Sequence, residues 1–229
     1  MTIKLVTFDL DNTLWDVDTI IRRAEAEMRA WIDPHVGAFK AIDANHMGTL
    51  RRTVVEADRT LRHDVSRLRL ALLQQAFIEC GVIPDEAANI ARDAFAVFMD
   101  WRNRVDFFEG ALEMLAALSQ DYRLAALTNG NANIDRVGLG EFFSFAISAA
   151  DVGASKPAPD MFLAALERGN VGATETVHIG DNPIDDIEGA SNAGLHSIWV
   201  NHADSDDDVV ATRTVTDLAA LVKSVASID

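Results

Sequence analysis

IKLVTFDLDNTLW, residues 3–15, opens as a short apolar run in which Ile3, Leu5, Val6 and Phe8 include β-branched members, and then turns abruptly polar. Such a run of about 6 residues predicts a buried parallel strand. At its end stand Asp9 and Asp11 with Leu10 between them, followed by Asn12 and Thr13. Side chains two apart in an extended chain point the same way, so both carboxylates leave the strand end on one side. Like charges placed there repel unless a cation or a proton separates them. Asp-x-Asp-Asn also caps helices and closes turns, so the meaning of this stretch depends on what accompanies it.

Beyond Leu14 the texture is helical as far as about residue 104. Ile20, Ile21, Ala24, Met28, Trp31 and Ile32 recur at helical spacing over 17–32, and Pro34 stops that helix. Further helices are predicted over 39–61 (with a break near Gly48), over 66–80 (ended by Gly81) and over 84–101, which opens on Pro84. From about 106 strands and helices alternate. Strands are expected at 122–128, 143–149, 176–180 and 196–200, and helices at 110–119, 131–138, 159–168, 185–193 and 217–226. A strand, a helical block and then resumed alternation imply an insertion. The expected fold is α/β, a doubly wound Rossmann-like parallel sheet formed by 1–14 and 105–229, with the all-helical stretch 15–104 inserted after the first strand. In such sheets ligands bind beyond the carboxyl ends of the strands, where strand order reverses.

Composition narrows the partners. With 36 acids against 20 bases the net charge is −16, a field that repels nucleic acid and anionic membranes. A phosphorylated substrate therefore needs local positive charge, from Lys156, a bound metal ion and a few arginines. The acid run Asp204, Asp206, Asp207 and Asp208 is expected to form a solvated loop. Cys80 is the only cysteine, the opening residues lack the pattern of a secretory signal, and no stretch of about 18 apolar residues occurs. A cytoplasmic protein, monomer or homodimer, with no nucleic-acid or membrane partner is the expectation.

Three further polar clusters follow in order: TNGN at 128–131, SKP at 155–157 and GDNPIDD at 180–186. With the Asp9–Asp11 stretch they resemble the signature of the haloacid dehalogenase superfamily of aspartate-nucleophile phosphohydrolases. HDVSRLR at 63–69, WRNRVD at 101–106, TNGNAN at 128–133, GLGEFFSF at 138–145 and SKPAPDMF at 155–162 are similar to its bacterial flavin-mononucleotide phosphatase branch. That resemblance implies a helical cap on the core. It also implies Mg²⁺-dependent hydrolysis of a small phosphomonoester, with flavin mononucleotide or the riboflavin-pathway compound 5-amino-6-(5-phospho-D-ribitylamino)uracil as candidate substrates.

On this reading Asp9 is the nucleophile that takes the phosphoryl group, and Asp11 protonates the leaving alkoxide, then deprotonates water. The Thr128 hydroxyl, with the amides of Asn129 and Gly130, suits phosphate oxygens, and Lys156 supplies fixed positive charge beside Asp9. The family's metal ligands match the Asp9 and Asp181 side chains and the Asp11 main-chain carbonyl. Thr13, Asp185 and Asp186 are supporting residues, the acids also suiting a helix N-terminus. The dehalogenases of the superfamily, by resemblance, lack an acid equivalent to Asp11, because displaced halide needs no proton.

In the helical insert His63, Arg67, Arg69, Trp101, Arg102 and Arg104 read either as a solvated face with an aromatic anchor or as substrate contacts. In the second case Arg67 or Arg104 offsets substrate charge, and Trp15 or Trp101 stacks on a planar ring. Two other functions fit the same residues: a sugar-phosphate mutase, and a non-catalytic metabolite sensor on the phosphatase scaffold.

Overall fold

Strand β1, Leu5–Phe8, is buried along its whole length in the computed structural model of the protein, which describes residues 2–205 and 207–228. Burial on both faces explains why its sequence is a continuous apolar run and not an alternation. β1 pairs in parallel with β2, Arg123–Thr128, and with β4, Thr176–Gly180, placing Leu5 opposite both Arg123 and Thr176. With β3 (Phe143–Ser148), β5 (His196–Val200) and β6 (Arg213–Val215) the order is β3-β2-β1-β4-β5-β6, parallel throughout. The α/β fold expected from the sequence is thus formed. Strand order reverses at β1, so the segments leaving β1, β2 and β4 open on one crevice at the carboxyl edge.

The described chain divides into two compact units, residues up to Val17 with those from Val105 onward, and Asp18–Arg104. In the first, α5 (Ala111–Asp121), α6 (Ala149–Val152), α7 (Asp160–Gly169), α8 (Gly189–Asn192) and α9 (Leu221–Ala226) accompany the sheet. Met161, Phe162 and Ala165 of α7 pack with Leu5, Ala125 and Leu127 of the strands. The second is all helical, with α1 (Val17–Ile32), α2 (Ala44–Ala57), α3 (Val65–Glu79) and α4 (Pro84–Arg102) around a core that includes Phe39, Leu68, Phe77 and Phe98. No helix among the described residues is long and apolar enough to cross a membrane.

Several elements depart from the sequence reading. The break expected at Gly48 lies instead at Asp43, whose carboxylate accepts the His46 amide at 2.8 Å and starts α2; Gly48 is inside that helix. No helix forms over 131–138. Asn133 accepts the amides of Asp135 (3.1 Å) and Arg136 (2.9 Å), and Gly138 turns the chain at φ +86°, so local side-chain bonds replace a helical ladder. β3 stops at Ser148, whose amide donates to Asp151 Oδ2 at 2.7 Å to begin α6. The stretch read as a helix over 185–193 starts as a π-turn, Pro183–Glu188, and β6 was not anticipated. In the acidic run Asp204, Asp207 and Asp208 lie outside helix and strand, as expected of a loop, and Asp206 is outside the described residues.

Candidate active site

The chain leaves β1 pinned to β4, the Asp9 amide donating to the Ile179 carbonyl at 2.8 Å. It then turns sharply. Asn12 takes φ +60°, which asparagine tolerates better than most residues, and its side chain caps α1 by accepting the Val17 amide at 3.1 Å. Trp15 folds back on the turn: its carbonyl accepts the Asn12 amide at 2.8 Å, and its indole N–H donates to Asp11 Oδ1 at 2.8 Å. The ring is 0% exposed and lies edge-on to Phe107, centroids 5.8 Å apart. Trp15 is therefore a buried partner of Asp11, and the expectation that it stacks on a substrate ring is corrected.

Lys156 reaches the same crevice from the loop before α7. Its ammonium donates to Asp9 Oδ1 at 2.7 Å, Asp186 Oδ1 at 2.6 Å and the Leu127 carbonyl at 2.8 Å. Three protons thus meet three acceptors. Burial pulls its pKa down, but Asp9 and Asp186 outweigh that and hold it above the ordinary lysine value. Asp186 is satisfied on both oxygens, since His178 Nε2 lies 3.2 Å from Oδ1 and the Asn182 amide donates to Oδ2 at 3.0 Å. Burial raises its pKa, yet Lys156 and His178 bring it below the usual carboxylate range. His178 Nδ1 in turn lies 2.9 Å from Thr7 Oγ1, and burial keeps the imidazole pKa lowered, consistent with a neutral ring donating from Nε2.

Asp181 follows β4. Its Oδ1 accepts the Thr13 hydroxyl at 3.0 Å, Thr13 lies 3.5 Å from Asp9 Oδ2, and Trp199 holds the Asp181 carbonyl at 2.8 Å. Desolvation, helped by Asp186, pushes Asp181 up to about 6. Desolvation also raises Asp9 well above its ordinary value, against the pull of Lys156. Asp9, Asp181 and Asp186 each offer a carboxylate oxygen, all within 4.8 Å of one another, so the cluster can hold a cation. Asp186 already spends both oxygens on donors within 3.2 Å, whereas among the described residues Asp9 Oδ2 has only the Thr13 hydroxyl at 3.5 Å and Asp181 is held by that hydroxyl at Oδ1, which leaves Asp9 and Asp181 as the better ligands.

Thr128 ends β2 and accepts the Gly130 amide at 2.9 Å, which leaves its own hydroxyl proton to donate elsewhere. The Asn129 side chain is structural: it accepts the Lys156 amide at 2.8 Å, donates back to the Lys156 carbonyl at 3.1 Å, and donates to Asp185 at 3.2 Å. Asp9, Asp11, Thr128, Asn129, Gly130, Lys156, Asp181, Asp185 and Asp186 all line one cleft of about 150 Å³, with Thr13 buried behind it. Arg67 and Arg104 belong to the helical unit and have partners there. Arg67 lies 3.4 Å from Asp58, while Arg104 pairs with Asp100 and sits 4.2 Å over the Trp101 ring.

One residue of the site, His178, escaped the sequence reading, and another, Trp15, was expected there as a stacking surface and not as a partner of Asp11. His178 could have been noticed as one imidazole between the apolar residues Val177 and Ile179 of the strand Thr176–Gly180. Trp15 had a weaker signal, its position four residues after Asp11 across a tight turn.

A family model for haloacid dehalogenase-like hydrolases matches residues 3–194. The chain is 35% identical to the 5-amino-6-(5-phospho-D-ribitylamino)uracil phosphatase YigB of Escherichia coli (strain K12), over 89% of this chain and 86% of the relative. It is 32% identical to a phosphoserine phosphatase of Thermus thermophilus, over 63% of this chain and 59% of that one. The crystal structure of a 2-haloacid dehalogenase from Pseudomonas syringae pv. Tomato DC3000 superposes with a TM-score of 0.95 at 38% identity, covering 98% and 99% of the two chains. Together with the aspartate cluster at the switch point of the sheet, the match over residues 3–194 means that the chain belongs to the haloacid dehalogenase-like hydrolase family.

Proposed function

We propose that the protein is a Mg²⁺-dependent phosphatase that cleaves small phosphomonoesters through a phosphorylated Asp9. The observation that carries this reading is a cleft in which two acids from one turn, Asp9 and Asp11, meet Lys156 and Asp181. The donor set fits a hard cation: Asp9 and Asp181 supply side-chain oxygens close together, Lys156 alone does not neutralise the acids around it, and by resemblance to the family the Asp11 main-chain carbonyl would be a third ligand. Such an ion, when bound, offsets the charge of phosphate and carboxylate so that they can approach.

The residues then divide the work. Asp9 attacks phosphorus, a P–O bond to Asp9 forms and the bond to the leaving oxygen breaks. Asp11 gives that oxygen a proton, and the now ionised Asp11 takes one from the water that frees phosphate and restores Asp9. Lys156, its protons already committed, fixes one oxygen of Asp9 and serves as buried charge. Thr128, oriented by the Gly130 amide, donates to a phosphate oxygen. Two acids at two points suit a reaction whose leaving group needs a proton.

Similarity to YigB makes 5-amino-6-(5-phospho-D-ribitylamino)uracil the first substrate to test, with flavin mononucleotide beside it. The similarity to a 2-haloacid dehalogenase favours a second reading, hydrolysis of a carbon–halogen bond. Asp11 weighs against it, since halide leaves unprotonated. The test is turnover with Mg²⁺ on those two substrates, a hexose phosphate and a 2-haloacid. Phosphate release lost in Asp9→Asn, which keeps the side-chain volume, is expected. Halide release without phosphate release sinks the proposal, as does a hexose phosphate that isomerises.

A further inference from the structure

The helical unit holds a cavity of about 390 Å³ that shares no residue with the carboxylate cleft. Its floor is apolar, formed by Met28, Phe39, Leu68 and Leu72, all members of the core of that unit. Its rim carries Arg29, Arg51 and Arg69 against one acid, Glu25. Three guanidiniums to one carboxylate is the reverse of the chain's balance, 20 bases to 36 acids.

The three arginines differ in how they are held. Arg69 lies 3.1 Å from Glu25 and 3.8 Å over the Phe98 ring, so its position is fixed. Burial pulls its guanidinium below the ordinary value, and Arg51 and Arg102 add to that pull while Glu25 opposes it. The Arg29 guanidinium lies 5.1 Å over Phe39, and neither its side chain nor that of Arg51 makes a hydrogen bond or ion pair among the described residues. Guanidinium forks left open at the mouth of an apolar cavity match a planar or tetrahedral oxyanion.

Gly48 points the same way. It sits inside α2, where glycine costs about 1 kcal/mol relative to alanine. Helical glycines often make room for a close neighbour, but a Cβ added to Gly48 meets nothing within 4 Å. Packing of the chain does not require it. Gly48 lines the cavity, and any larger residue there reduces the space.

We propose that this cavity binds a small amphipathic anion, with its non-polar ring or chain on the floor and a carboxylate, sulfonate or phosphate head at the arginines. The volume lies within the usual range for small-molecule sites. Because the proposal uses no residue of the cleft, it stands or falls apart from the phosphatase reading.

Anilinonaphthalene sulfonate, an aromatic anion that brightens in apolar surroundings, is the probe, titrated into the 229-residue protein with Mg²⁺ present. Saturable binding at one site is expected, with N-phenylnaphthylamine, the same rings without the sulfonate, bound about tenfold more weakly or worse. Arg51→Gln, a change at the exposed rim, lowers sulfonate affinity about fivefold and leaves the neutral dye unaffected. Gly48→Leu fills the cavity and removes both, while hydrolytic turnover and circular dichroism stay as in the parent. Equal affinity for the two dyes, no saturable site, or unchanged sulfonate binding in Arg51→Gln overturns the proposal. So does unchanged binding in a folded Gly48→Leu.

Discussion

Asp11 is held by a donor that cannot accept. An indole N–H can only donate, so the bond from Trp15 fixes Asp11 Oδ1 as an acceptor and leaves the proton of a protonated Asp11 to Oδ2. If Asp11 is the general acid, Trp15 decides which oxygen faces the leaving group. Replacing Trp15 with Phe keeps most of the buried ring and removes that bond, worth about 1–1.5 kcal/mol, or roughly tenfold in rate. The loss should fall on kcat with KM nearly unchanged. It should be larger for an alkyl phosphate, whose alkoxide needs a proton, than for p-nitrophenyl phosphate, whose phenolate does not. Equal losses for the two would mean that Trp15 only packs. The sequence revealed the carboxylates because their spacing at a strand end is local, but it did not reveal the role of Trp15. That role depends on Asn12 entering the left-handed region and bringing the indole back over the turn.

Asp186 reaches Lys156 because β4 ends in glycine and the next segment is wound as a π-turn. A Cβ on Gly180 would lie 2.3 Å from Asp186 Cγ, so no side chain fits between the strand end and that carboxylate. Gly180→Ala must displace Asp186 and loosen its contacts to Lys156 and His178. Overpacking of this kind costs about 1–3 kcal/mol, read as a lower thermal midpoint together with reduced turnover. Gly48→Ala, where nothing is near, should instead raise the midpoint through an improved helix, by about 1 kcal/mol at most. If both substitutions moved the midpoint the same way, the close approach at Gly180 would not matter. The π-turn itself could not be read in advance, because PIDDIE fits α-helical spacing equally well and the two are distinguished by bonds that reach back five residues, from the Ile187 amide to the Asn182 carbonyl at 3.3 Å and from the Gly189 amide to the Ile184 carbonyl. β1, β2, β4 and β5 were legible as apolar runs because both faces are buried. β6 was not, since its three residues, Arg213, Thr214 and Val215, include only one that is buried. The 131–138 stretch misled because Ile134 and Val137 have helical spacing in a segment too short to offset nucleation.

For the molecule as a whole, stability and metal binding should be tied together by pH. Asp181 titrates at about 6 in the fold against an ordinary value of 3.8, chiefly because burial disfavours its charge. A carboxyl raised in this way contributes stability that is fully present below 3.8 and is lost as pH rises through about 6, where the fold must carry the unscreened charge. Asp9 is shifted in the same direction. His178 and Asp186, both lowered, contribute in the opposite sense, so the melting temperature at any one pH mixes the two pairs. The increment from Mg²⁺ separates them, because a cation competes with protons only at the acids it binds. Thermal melts with and without Mg²⁺ at constant ionic strength should show an increment that is small below pH 5 and grows as pH passes about 6. In Asp181→Asn the growth should largely disappear, whereas general screening of a chain of charge −16 would persist unchanged. An increment equal at all pH values, or undiminished in Asp181→Asn, would mean that Mg²⁺ acts on the surface field and not at the carboxylate cluster.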